Sequence, residues 1–188
     1  MAEYRHYHAG SLINLANYHH DRGERAEARR LLEEAMPHHR AAIQSRPLHA
    51  SYRKFLCANR VSFAQTFLTE KDYAGLAGAA EQLAEAAAEA AGQSAEVSAD
   101  FRFELTRAAV FLAKCATMAG QDDRLPEARR AELDRTYTEQ AMATLRLAVK
   151  LGYRDTATLK RQVSFAPMLS RPDFQNLLAE MEKTQKMP

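Results

Sequence analysis

Little in this sequence interrupts a helix. Only seven glycines and six prolines are spread over 188 residues, while alanine, the residue that costs a helix least, recurs throughout. Alternating apolar and polar runs are missing apart from short stretches such as 161–165, too brief and isolated to build a sheet. Tryptophan is absent and cysteine occurs twice, too sparse for the disulfide framework of a small secreted domain. Cys57 and Cys115 sit in largely apolar helical stretches and read as buried free thiols. No window approaches the roughly 20 apolar residues that cross a bilayer, and the beginning of the chain carries no apolar leader. A cytoplasmic setting without membrane contact is the expectation. Charge of one sign is missing too: 26 basic and 24 acidic residues leave a net charge of +2. The signs interleave, as from Arg22 to Arg30, in the manner of a solvated helix face. A nucleic-acid partner would need a basic stripe with little acid in it, and none occurs.

What is present is a degenerate helix-pair pattern in three copies. The first reads Leu12-x2-Leu15-Ala16-x2-His19, Gly23, then Ala28-x3-Leu32-x2-Ala35. The second reads Arg60-x2-Phe63-Ala64-x2-Phe67, Tyr73, then Leu76-x3-Ala80-x2-Leu83. The third reads Ala109-x2-Leu112-Ala113-x2-Ala116 and, after a longer gap, Ala141-x3-Leu145-x2-Ala148. Small residues at fixed places let paired helices approach, and stacked pairs share a continuous core. Ala16 to Ala64 is 48 residues and Ala64 to Ala113 is 49, against about 34 for a tetratricopeptide unit and about 40–47 for a HEAT unit. The Ala-x3-Leu-x2-Ala spacing favours the former with lengthened helices. The expected fold is all-α: a tetratricopeptide-like array of three elongated helix pairs with a C-terminal capping helix.

The expected repeats span 11–47, 49–92 and 99–151, with the cap over 153–188, all in one domain. Within them, helices are expected over about 11–22, from 24 onward, 49–69, 72–91, 99–119 and 126–151. Ser11 is the expected cap of the first, Gly23 and Gly92 are breaks, and 93–98 is a polar connector. Tyr52, Leu56, Phe63, Ala64 and Phe67 are expected to face inward. Pro37 either kinks the second helix or starts a new segment, and Pro126 suits a first helical turn. A short helix near 156–162, a turn at Ala166-Pro167 and a last helix over 172–183 complete the chain, with Ser170-x-x-Asp173 as its capping box. The absence of a cap ahead of the first repeat suggests a piece of a larger protein.

The stretch from Ser11 to Asn17, continued from Asp21 through Glu24-Arg25-Ala26-Glu27-Ala28 to Ala35, resembles tetratricopeptide repeats found behind bacterial serine/threonine protein kinase domains, particularly of the planctomycete type. Phe111-Leu-Ala-Lys-Cys-Ala116, Leu125-Pro-Glu-Ala-Arg-Arg130, Tyr137-x3-Ala141-Met142-x2-Leu145-Arg146 and Gly152-Tyr-Arg-Asp155 resemble the C-terminal repeats of those kinases. Pro167 to Leu178 resembles their closing motif. Phe165-Ala166 departs from the Asp or Leu that usually precedes that proline. The resemblance implies a parent kinase with this region recruiting partners, or packing on the kinase domain or on itself without an external ligand. The chain itself carries no Gly-rich phosphate loop, no His-Arg-Asp loop and no Asp-Phe-Gly, so no enzyme activity is expected.

Histidine invites a metal reading at His6-x-His8, His19-His20, His38-His39 and His49. Adjacent histidines on a helix diverge by about 100°, whereas zinc needs a converging tetrahedral set. Surface and groove histidines are the expected outcome, and no cofactor is implied. The carboxylates at Glu33-Glu34 and Asp122-Asp123 lie in polar runs with no nucleophile beside them and read as solvated faces. The better site is a groove lined by the first helix of each pair. Counting one residue past each small alanine, and a turn either way, selects Ile13, Asn17, His20, Val61, Gln65, Leu68, Arg107, Val110, Lys114 and Thr117. Some repeats of this kind hold a peptide's terminal carboxylate with Lys and Asn. Asn17 and Lys114 match in type, while Ile13 and Val61 stand where further polar groups would be needed, so a complete clamp is not expected.

Overall fold

The computed structural model describes residues 2–92 and 98–185. Its long helices are α1 (Ala2–Asp21), α2 (Arg25–Ser45), α3 (Ala50–Glu70), α4 (Tyr73–Ala91), α5 (Ser98–Gly120) and α6 (Glu127–Lys150). A short α7 (Thr156–Arg161), a 3-10 turn (Val163–Met168) and α8 (Pro172–Gln185) follow. No strand occurs among the described residues. From α1 to α6 each helix packs on its sequence neighbour, and α1, α3, α5 and the 3-10 turn also touch in that order. On the opposite side α4 touches α6 and α6 touches α8. The result is a two-layer stack, with first helices on one side and second helices on the other.

Local chemistry accounts for most boundaries. Gly23 and Gly152 take φ of +80° and +101°, the left-handed region that ends a helix at little cost only in glycine. Asp72 caps α4 by accepting from the Gly75 amide at 2.9 Å, and Asp155 caps α7 by accepting from the Thr158 amide at 2.9 Å. Three expectations need correction or narrowing. First, α1 begins at Ala2 rather than near residue 11. Ser11 lies mid-helix, its hydroxyl donating to the Tyr7 carbonyl at 3.1 Å. The inward face continues backward through Ala9 and His6, both buried, and histidine hides that continuation from an apolar count. Second, α2 continues through Pro37 as one helix, so of the two alternatives there no new segment starts. Both Pro37 and Glu33, whose carbonyl loses its partner, lie on the exposed side. Third, Pro126 caps α6 from outside instead of opening its first turn. The last helix starts at Pro172, as expected, with Arg171 rather than Ser170 directly before it. Asp173 there accepts from the Phe174 amide at 3.0 Å. Most of the polar connector, 93–97, lies outside the described residues.

Ala16, Ala64 and Ala113 are all buried, as close helix contact requires. Tyr52 is buried as well, while Leu56, Phe63 and Phe67 are half-buried. The interior divides in two. Ala9, Leu12, Ile13 and Ala16 of α1 form a small cluster with Ala28, Leu31, Leu32 and Ala35 of α2. A second cluster runs from Cys57 through to Met181, and Phe63 packs against both. At the C-terminal end, α7 with the 3-10 turn stands where another first helix would, and α8 stands as its second. Phe174, Leu177, Leu178 and Met181 form the buried stripe of α8, Leu147 of α6 and Leu151 just past its end border the same cluster, and Glu180 and Lys183 point outward. Arg146–Asp173 at 3.0 Å and Lys160–Glu182 at 2.8 Å pin α8 to α6 and α7.

Candidate partner-binding groove

The row α1, α3, α5 presents one face of the stack. Its register follows the sequence offsets: Asn17, Gln65 and Lys114 occupy equivalent places on successive helices. Asn17, Gln65 and Thr117 are exposed, while His20, Leu68, Arg107, Val110 and Lys114 are half-buried. Ile13 and Val61 are not offered to a ligand. Ile13 packs in the α1–α2 cluster and Val61 in the larger one. Those two leave the groove set, and the polar run Asn17, Gln65, Lys114, Thr117 remains.

Two clefts border the first half of α5. Lys54 and Cys57 of α3 and Asp100, Phe101, Phe103 and Glu104 of α5 line a cleft of about 460 Å³. Lys54 Nζ lies 2.5 Å from an Asp100 carboxylate oxygen, bridging the two helices at the rim. Burial raises the Glu104 carboxyl above its usual range; Arg107 opposes that rise, and Asp100 adds to it. The nearest guanidinium nitrogen of Arg107 is 3.4 Å from Glu104, long for a hydrogen bond. On the far side of α5, Phe103, Thr106, Arg107 and Val110 meet Thr158, Leu159, Gln162 and Phe165 around a smaller cleft of about 150 Å³. Phe103 thus stands as a ridge between two clefts, 48% exposed, with the Arg107 guanidinium 5.2 Å from its ring centroid, a cation–π distance. Phe55, 38% exposed on α3, repeats the aromatic character next door.

Phe55, Phe103, Lys54 and Asp100 escape a count that reaches one turn either side of Ala64 and Ala113, since they lie more than two turns upstream. Exposure of a phenylalanine is the signal that marks them, and periodicity alone does not carry it. No group of three or more metal-ligating side chains capable of holding an ion occurs among the described residues. Cys57 and Cys115 are buried, and burial pushes both thiols up to about 12, so neither is a nucleophile at neutral pH.

Facing helix pairs with a fixed small-residue spacing recur along the stack. Residues 8–43 match the family model of the tetratricopeptide repeat. The match covers most of α1 and α2, and the further helix pairs continue the same architecture, so the fold is an all-α tetratricopeptide-like array. No curated protein and no solved structure matches the chain. Tetratricopeptide repeats as a class mediate protein–protein contact. Among the described residues no helix is long and apolar enough to cross a membrane.

Proposed function

We propose that this chain is a non-enzymatic protein-binding scaffold that receives a segment of a partner protein along α1, α3 and α5. The observation that carries this reading is Phe103, held half-exposed between two clefts with Arg107 on its ring. An exposed aromatic stacked by arginine is the composition of an interaction hot spot rather than of a solvated helix face. The polar run Asn17, Gln65, Lys114 and Thr117, about three turns further along the same face, supplies backbone-binding amides and a cation, so the partner segment carries an apolar side chain at one end and an acidic group or carboxylate toward the other. The sequence resemblance supports a finer reading, in which the chain is the repeat region of a larger cytoplasmic signalling protein such as a serine/threonine kinase.

Selection of peptides from a displayed random library tests the groove. Enriched peptides should share an apolar–acidic pattern and should lose at least about tenfold in affinity, some 1.4 kcal/mol, to Phe103→Asp and to Lys114→Glu. Peptides that bind both variants as well as the parent would place the binding surface elsewhere.

A further inference from the structure

Helix α1 carries an outward stripe that its counterparts do not. Tyr4, Tyr7, Leu15 and Tyr18 are 71%, 70%, 45% and 56% exposed, and with Ser11 they fall within one ~80° sector of the helix, opposite the buried Ala9, Ile13 and Ala16. The 48- and 49-residue offsets give each a counterpart. Tyr4, Ser11 and Tyr18 correspond to Tyr52, Asn59 and Thr66 on α3 and to Phe101, Ala108 and Cys115 on α5, and all six of these counterparts are buried. Leu15 corresponds to half-buried Phe63 and buried Leu112, and Tyr7 to Phe55, exposed at the edge of α3, and to half-buried Glu104. On α3 the covering element is the preceding second helix: the Asn59 amide donates to the Leu32 carbonyl of α2 at 2.9 Å. On α5 it is α4, packed along its length. The stripe on α1 is therefore a helix-docking face, and nothing among the described residues covers it.

We propose that a second copy of this chain covers it, α1 lying antiparallel on the partner's α1 about a two-fold axis at Ser11. The stripe is palindromic. Tyr4, Tyr7, Ser11, Leu15 and Tyr18 are spaced 3, 4, 4 and 3, so reversal about Ser11 sets Tyr4 against Tyr18 and Tyr7 against Leu15, with the small hydroxyl at the point of closest approach. A self-complementary patch of this form is what an isologous dimer requires. The helix dipoles also oppose favourably. At 150–250 Å² per aromatic ring, the exposed part of the stripe offers on the order of 500 Å² per protomer. That reaches the lower bound for a specific interface and implies a weak dimer, with a Kd of roughly 10–100 µM.

Sedimentation velocity of the full chain over a concentration series reads this directly. The expected result is a monomer–dimer equilibrium reaching twice the 21.1 kDa monomer mass. Tyr7→Glu/Tyr18→Glu, changes at exposed positions, should abolish it while leaving helical circular dichroism and melting temperature unchanged. Ser11→Cys should form a disulfide-linked dimer on mild oxidation, because only a residue at the two-fold axis meets itself, whereas Glu132→Cys on α6 should not. A chain that stays monomeric at about 300 µM, ten times the geometric centre of that range, overturns the proposal, and so does a dimer that survives the double glutamate variant. A monomer that instead binds a peptide copying Tyr73–Ala91 would show that the face takes a second-type helix, and would overturn it equally.

Discussion

His39 is the residue whose environment departs furthest from its chemistry. It is 1% exposed, neither ring nitrogen has a hydrogen-bond partner among the described residues, and burial, then His6, Arg60 and His38, push its pKa from 6.5 down to about 4. Burial and His49 also lower His6, whose ring packs on Tyr52 and Phe55. A histidine with a depressed folded pKa keeps its neutral form in the native state. Below pH 6.5 the unfolded chain takes up the proton first, so stability is full above that value and falls as pH drops toward 4. The loss should reach about 3 kcal/mol across that window. Urea titrations at pH 7 and pH 4.5 should show it, and His39→Leu should flatten the difference. An unchanged slope in the variant would assign the acid sensitivity to other groups.

At the level of elements, α8 closes the stack. Arrays of this kind leave their last apolar face open unless a helix with a polar outer side covers it. Burial of Phe174 and Leu178 should contribute about 1.5–3 kcal/mol each. Removing the chain from Ser170 onward should lower the melting temperature and produce aggregation visible by light scattering; an equally stable, monodisperse truncation would mean that α8 is not a cap. The α8 stripe, the long α4 and α5, and the three buried alanines were legible because apolar spacing and caps agree along those stretches. The first turns of α1 were not, since their inward positions are His6 and Ala9 rather than large aliphatics. Pro37 was legible as a disturbance but not in its outcome, because the cost of a proline depends on whether the orphaned carbonyl meets water.

For the whole molecule, the all-α repeat stack followed from repeat arithmetic, and the exposure of individual residues along α1, α3 and α5 followed only in part. Counting from Ala16, Ala64 and Ala113 finds Asn17, Gln65 and Thr117 at the surface, but cannot tell that Ile13 and Val61 turn inward or that Phe103 stays out. Such differences arise from how far successive helices splay, a tertiary property that no local spacing encodes.

The division of the interior into two clusters bridged by Phe63 has a consequence for how the fold comes apart. The α1–α2 pair holds a core of its own built from eight residues, four of them alanine, and leans on the rest chiefly through α3. In a quasi-one-dimensional array, such an end unit opens at a lower free energy than the middle. Backbone amides of α1 and α2 should exchange with deuterium well before those of α4 and α5, as one cooperative block whose protection is raised by whatever docks on the outer face of α1.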